Sequence, residues 1–181
     1  MLFKYLMATV ALAAFAMSSP TEPTATVAKP ADTLSKCQTT ITEVKEPVVV
    51  SCNEGKVEKV KSHLIKVQKP VQALSISIIF SSTLTIQKEV VTKYSHEFIK
   101  VLIKFQAILK VIYYHPKISA GCTEVYAKLD AHFDSICTVF FKKHGVEIYK
   151  MIHEEVSLNV TVWEKSGFKF QSKGNYSTIS Q

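Results

Sequence analysis

Apolar residues recur at three- and four-residue steps along most of the chain, which is the spacing of one face of an α-helix. The first two apolar stripes consist of Leu34, Cys37, Ile41 and Val44, and then of Val57, Val60, Leu64, Val67, Val71, Leu74 and Ile78. Asp32 is the predicted N-cap of the first helix, and Pro47 is predicted to end it. Ser51 and Glu54 have the spacing of a capping box for the second helix, which Pro70 is predicted to kink.

Three further stripes follow. The third helix is predicted to end at His115, because a proline follows, and the fourth lies between Gly121 and Gly145. A last helix is predicted over 148–163. The apolar positions are Val91, Tyr94, Phe98, Val101, Leu102, Phe105, Ile108, Leu109 and Ile112, then Val125, Leu129, Phe133, Ile136, Phe140 and Phe141, then Ile148, Ile152, Val156, Val160 and Trp163.

Two stretches also alternate apolar and polar residues, which is typical of strands. One is 74–86, for which we favour a helix end, a break at Ser81-Ser82 and a new helix start. The other is 156–162, for which a hairpin with 168–170 is the alternative. The sequence therefore predicts an all-α fold, a four- to five-helix disulfide-linked bundle. The alternative is an α+β fold with short strands near 74–86 and 156–171.

The two ends of the chain differ from its middle. Residues 1–16 combine a positive start, an apolar run and an Ala-x-Ala site, which predicts a secretory signal peptide. The apolar run is shorter than the roughly 20 residues of a membrane span. Residues 17–32 read as a Thr/Pro-rich linker, 33–165 as the helical domain and 166–181 as a polar tail. The protein is therefore predicted to be secreted and extracellular.

An even number of cysteines in a secreted chain predicts two disulfides. The residues are Cys37, Cys52, Cys122 and Cys137. If 122–137 is one continuous helix, its ends lie about 22 Å apart, whereas bridged Cα atoms lie roughly 4.4 to 6.8 Å apart. Full oxidation would then join Cys37 and Cys52 to the fourth helix, and both combinations stay open. Asn159 and Asn175 begin N-glycosylation sequons, which predict a glycoprotein.

Lysine supplies the entire basic charge. The formal net charge is +7, and loss of Lys4 with the signal peptide leaves +6. Residues 56–117 hold 11 lysines and three glutamates, whereas 122–164 hold four lysines and seven acidic residues. Nucleic-acid readers depend on the arginine fork, so we expect no nucleic-acid partner. The uneven charge indicates either neighbouring helices of opposite charge or a basic face for an anionic membrane or cell wall.

Candidate chemistry is sparse. Asp130, His132 and Asp134 form a cluster in sequence, but on a helix His132 points away from the two carboxylates. Ser95-His96-Glu97 and His153-Glu154 likewise lack the convergence or the second ligand that a catalytic triad or a zinc helix needs. The glycines build no phosphate-binding loop. We therefore predict no catalytic residues, metal ligands or cofactors.

These observations favour a secreted non-enzymatic helical protein that acts by binding a partner protein, an apolar ligand or an extracellular surface. Aromatic and aliphatic helix faces are also typical of bundles that bind lipids. A membrane-active protein with lysine-rich amphipathic helices is the second hypothesis. A secreted enzyme of unrecognised type is the third.

Overall fold

The structure is a computed structural model that describes residues 28–82 and 87–171. Four long helices and three short ones make up this part of the chain. They are α1 (Pro30–Asn53), α2 (Val57–Ser81), α3 (Lys88–Tyr113), α4 (Pro116–Gly121), α5 (Thr123–His144), α6 (Ile148–Glu154) and α7 (Val160–Lys165). The described residues contain no strand, so the α+β alternative is not observed and the chain is an all-α protein. The predicted signal peptide and Asn175 lie outside the described residues.

Helix α1 differs from the prediction at both ends. It begins at Pro30, because a proline suits the first position of a helix, where no amide donor is needed. Asp32 lies in the first turn rather than at the N-cap. Pro47 was predicted to end α1, but the helix continues to Asn53. The buried stripe continues through Val48 to Cys52, so packing offsets the hydrogen bond that the proline cannot donate.

The predicted capping box is also wrong. Ser51 is a buried residue of α1, and α2 begins at Val57 after a turn in which Gly55 has a φ of 68°. The Lys56 amide donates to the Ser51 carbonyl and closes this turn. Pro70 lies inside α2, which runs on to Ser81, where the predicted break is confirmed.

Helices α3 and α5 follow the prediction closely. Helix α3 ends just before His115-Pro116, and the left-handed Gly145 (φ 65°) ends α5. The predicted last helix is instead divided into α6 and α7. Between them, Glu155 is extended (ψ 104°), and the side chain of Gln106 binds the backbone at Ser157 and Asn159. Those backbone groups are therefore satisfied without continuing the helix.

The long helices pack as a bundle. Helix α1 packs against α2 and α3, and α2 packs against α5. Gln38 and Thr42 of α1 meet Glu97 and Lys104 of α3, so these two helices run in the same direction. The space between α3 and α5 is filled by α6, α7 and the chain after them.

An aromatic cluster occupies that space. Phe105 and Phe133 contact Trp163, with ring centroids 5.7 Å and 5.9 Å apart. Phe168 and Phe170 are each 1% exposed and contact the same tryptophan. Phe168 and Phe170, which fall within the range predicted as a polar tail, therefore complete the core.

Candidate functional site

The four cysteines are buried thiols, and no pair lies at disulfide distance. The two predicted disulfides are therefore not observed. Helix α5 runs without a break from Thr123 to His144, as the argument against a Cys122–Cys137 bridge required. Burial raises the pKa of Cys37 to about 12, and burial also raises the pKa of Cys137 well above its ordinary value. At neutral pH these two thiols are protonated and poorly nucleophilic.

Cys52 and Cys122 are neighbours at the end of the bundle where α1 meets α2. Gly121 packs directly on Val57, with no room for a side chain between them. This close approach brings the end of α4, which directly precedes Cys122, against the start of α2. Burial, and then the charge of Cys52, raises the pKa of Cys122 to about 11. Both thiols lie near Tyr126, whose pKa is raised by burial.

A depression of about 410 Å³ lies between the end of α3 and the start of α7. We call it the tyrosine pocket; its lining residues are Lys110, Tyr113, Tyr114, Asn159, Thr161, Val162 and Lys165. The two tyrosine rings meet edge to face, with centroids 5.4 Å apart. The Lys165 ammonium donates to the Tyr113 hydroxyl at 3.2 Å, whereas Tyr114 is 78% exposed. The pocket offers one fixed and one open aromatic ring between two lysines.

Asn159, one of the two predicted glycosylation residues, lies at the edge of this pocket. Its side-chain oxygen accepts a hydrogen bond from the Val162 amide and so caps α7. Its position is set by Gln106, whose side-chain oxygen accepts from the Asn159 amide and, at 3.0 Å, from Trp163 Nε1. Gln106 donates in turn to the Ser157 carbonyl at 2.8 Å. A buried glutamine of α3 therefore holds the sequon on the surface.

Exposed lysines form a row along α3. We call Lys93, Lys100 and Lys104 the lysine stripe, since seven- and four-residue steps place them on one side of the helix. Glu97 lies within the stripe and binds Lys100 Nζ at 2.7 Å and Gln38 Nε2 at 2.9 Å. Each close ion pair between described residues joins positions two to four apart in sequence. The basic helices are therefore not neutralised by close ion pairs with the acidic ones.

The structure does not bring the suggestive histidine and carboxylate motifs into a catalytic arrangement. Asp130 accepts from the backbone amides of Lys169 and Phe170, both at 2.9 Å, and so fixes the final segment to α5. Ser95 and His96 each bind the Thr92 carbonyl of their own helix. No group of three potential metal ligands occurs within 28–82 and 87–171.

His153 and His63 also have structural surroundings. His153 Nε2 lies 3.2 Å from the Gln171 carbonyl, across the end of α6. His63 lines a shallow groove between α1 and α2, with its Nδ1 buried and unpartnered among the described residues. Burial, and then the nearby Lys66 and Lys59, lowers the pKa of His63. Both histidines therefore lie against neighbouring segments of the chain.

No helix within the described ranges has the length and apolarity needed to cross a bilayer. Comparison with known proteins gives no match to a protein-family model, a curated protein or a solved structure. The sequence analysis missed Gln106 and the tyrosine pocket. The available signals were a glutamine within the apolar stripe of α3 and two adjacent tyrosines at its end.

Proposed function

We propose that the chain is a secreted, non-enzymatic binding protein that attaches to polyanionic surfaces outside the cell through the lysine stripe. The observation that carries the proposal is the excess positive charge of the lysine stripe. Its three exposed lysines lie around one carboxylate, that of Glu97, which binds Lys100 Nζ and also interacts with the charge of Lys93. Lysines in such a row interact with an anionic surface without needing the geometry of an arginine fork.

The alternatives have less support from the same contacts. A carrier of an apolar ligand needs an empty interior, but the aromatic cluster fills the space between α3 and α5 with its own side chains. A membrane-active protein needs accessible apolar helix faces, but the apolar stripes of the four long helices form the core, and the exposed apolar side chains of Ile76, Ile79 and Phe80 are confined to the end of α2. Binding through the polar surface requires neither an empty interior nor an exposed apolar helix face.

Retention on a sulfated polysaccharide tests the proposal. Replacing Lys93, Lys100 and Lys104 together with glutamine removes three positive charges near the bound surface, each worth about 1 kcal/mol by analogy with lysines at anionic membranes. The affinity should therefore fall by about 100-fold. The matched control replaces Lys128, Lys142 and Lys143 of α5, which are equally exposed and change the net charge equally.

The two triple variants should differ clearly at low salt, and the difference should shrink as added salt screens the charges. Equal losses of affinity would show that only the net charge matters and would overturn the role of the lysine stripe. Vesicles that contain anionic lipid, tested beside the polysaccharide, distinguish a membrane surface from a cell-wall or matrix surface. Recovery of the mature protein from the culture medium tests secretion itself.

For the secreted form we also propose a single disulfide, Cys52 to Cys122, rather than two. The packing of Gly121 on Val57 supports this pair, because it brings together the segments that carry the two cysteines; the bond requires a local movement, since the two thiols are not at disulfide distance in the structure. A non-reducing peptide map of secreted protein should join these two cysteines and leave Cys37 and Cys137 reduced. A map that joins Cys37 to Cys137, or that finds four thiols, would contradict it.

A further inference from the structure

The two polar side-chain atoms of Asn159 differ: Oδ1 accepts a hydrogen bond, and Nδ2 makes none with the residues that the structure describes. Its Oδ1 caps α7 by accepting from the Val162 amide at 3.3 Å, whereas its Nδ2 has no hydrogen-bond partner in the described part of the chain. N-glycosylation modifies Nδ2 and leaves Oδ1 as a carbonyl oxygen. The helix cap and an attached sugar are therefore compatible. Asn159 and Thr161, the two residues that define the sequon, are both exposed.

The tyrosine pocket lies directly beside this atom. Asn159 and Thr161 are themselves part of its lining, so a sugar on Nδ2 starts at the edge of the pocket. Its volume of about 410 Å³ falls within the range of small-ligand sites. The open ring of Tyr114, 78% exposed, is a large apolar surface with no described residue covering it.

A pyranose ring complements this surface. One face of the sugar presents C–H groups, which pack on an aromatic ring, and its hydroxyl and acetamido groups hydrogen-bond to donors at the rim. Lys110 and Lys165 stand at that rim, and the bond from Lys165 holds the Tyr113 ring in place. The neighbouring Tyr113 in turn supports Tyr114 edge to face. The pocket is thus already arranged before a sugar arrives.

We infer that Asn159 carries an N-glycan whose first N-acetylglucosamine lies in the tyrosine pocket against Tyr114. This inference rests on the secretion in the proposed function, since the modification occurs on chains that enter the secretory route. The donor is a lipid-diphosphate oligosaccharide. A bond forms between Nδ2 and the sugar C1, the bond from C1 to the diphosphate oxygen breaks, and Nδ2 loses one proton as the lipid diphosphate leaves.

The test uses the full chain expressed with its leader in a secreting eukaryotic host, in an Asn175→Gln background that leaves one sequon. Glycopeptide mapping should find Asn159 occupied. Thr161→Ala removes the sequon and keeps the Asn159 cap, whereas Thr161→Ser keeps both and is the matched control. The glycosylated protein should melt about 3 °C higher than the Thr161→Ala form, a shift typical of one modest contact in a domain of this length.

Tyr114→Ala distinguishes a sugar that packs against the Tyr114 ring from one that extends into solvent. In the Tyr114→Ala background the difference in melting temperature between Thr161→Ser and Thr161→Ala should disappear. Trimming the glycan to its first sugar should retain the stabilisation. If Asn159 is unoccupied in protein recovered from the medium, this inference alone is overturned. If the difference in melting temperature is unchanged in the Tyr114→Ala background, the packing of the sugar on Tyr114 is overturned. Absence of the protein from the medium would count against the proposed function instead.

Discussion

Replacing Gln106 with methionine should destabilise the protein far more than a surface glutamine replacement does. Methionine has similar length and shape, so the change removes hydrogen bonds and leaves little cavity. Gln106 is 2% exposed and binds three groups on the α6–α7 segment: the Ser157 carbonyl, the Asn159 amide and Trp163 Nε1. Each of these groups loses its partner in the variant.

The expected loss follows from the burial of the three groups. Trp163 is 3% exposed, so its Nε1–H finds no water, and an unsatisfied buried donor costs about 2 kcal/mol. Ser157 and Asn159 are exposed residues whose backbone groups regain water, so each lost bond costs about 1 kcal/mol. The total is about 4 kcal/mol. In a domain of this length, that corresponds to a fall in melting temperature of about 8 to 16 °C.

Urea unfolding followed by far-ultraviolet circular dichroism and by tryptophan fluorescence measures this loss. Trp163 is the only tryptophan and lies at the site, so fluorescence reports local as well as global unfolding. Gln38→Met is the matched control, because Gln38 is half-buried and bonds to Glu97 on the surface; it should cost less than 1 kcal/mol. In a Trp163→Phe background, where circular dichroism alone reports unfolding, Gln106→Met should cost about 2 kcal/mol less. Equal losses for the two glutamine variants would refute the reasoning.

Two further predictions concern other parts of the fold. Gly121→Ala should destabilise the protein by about 1 to 3 kcal/mol, because the new Cβ overlaps Val57 Cγ1. Adding Val57→Ala should restore most of the lost stability in the same urea assay. If the double variant recovers no stability, the proposed contact between Gly121 and Val57 is contradicted. Acidification from about pH 7.5 to 5 should destabilise the fold, because burial and then nearby lysines lower the pKa of His63, so the unfolded chain binds the proton first. This stability is fully present above the ordinary histidine pKa and is lost as the pH falls toward the lowered pKa. Burial also lowers the pKa of His132 and of His144, so His63→Gln should reduce the dependence without abolishing it, and an unchanged slope would exclude a contribution from His63.

Helix positions were predictable wherever a local signal agreed with the packing. Gly145 ends α5 as predicted, because a left-handed residue after a lysine-rich last turn is a local requirement. Pro47 failed as a helix end because its cost is local, whereas the gain from burying Val44, Val48 and Cys52 comes from other helices. A single sequence shows the local cost of the proline but not the stabilisation that comes from packing against other helices. The same reason applies to Ser51, which looked like a cap and is a core residue.

The candidate site was less predictable than the fold, because its residues are assembled from distant parts of the chain. The sequon at Asn159 was visible in the sequence, but Tyr113 and Tyr114, which form the pocket beside it, are more than 40 positions away. The lysine stripe was visible as charge, but only the structure shows that the acidic helices leave it unpaired. Asp130 was recognised as a polar residue of interest, yet its partners are two backbone amides that no motif encodes.

Gln106 explains why 156–162 was ambiguous between helix and strand. Alternating apolar and polar residues there match neither a helix face nor a paired strand, because the backbone at Ser157 and Asn159 bonds to a side chain of α3 instead of to its own segment. Of the alternating apolar residues, Leu158 is buried, Val156 is 99% exposed, and Val160 and Val162 are half-buried. The alternation in the sequence therefore does not correspond to one buried face, and no strand forms here. The same bonds that end α6 place the sequon at the rim of the tyrosine pocket, so the irregular segment and the candidate site have one physical cause.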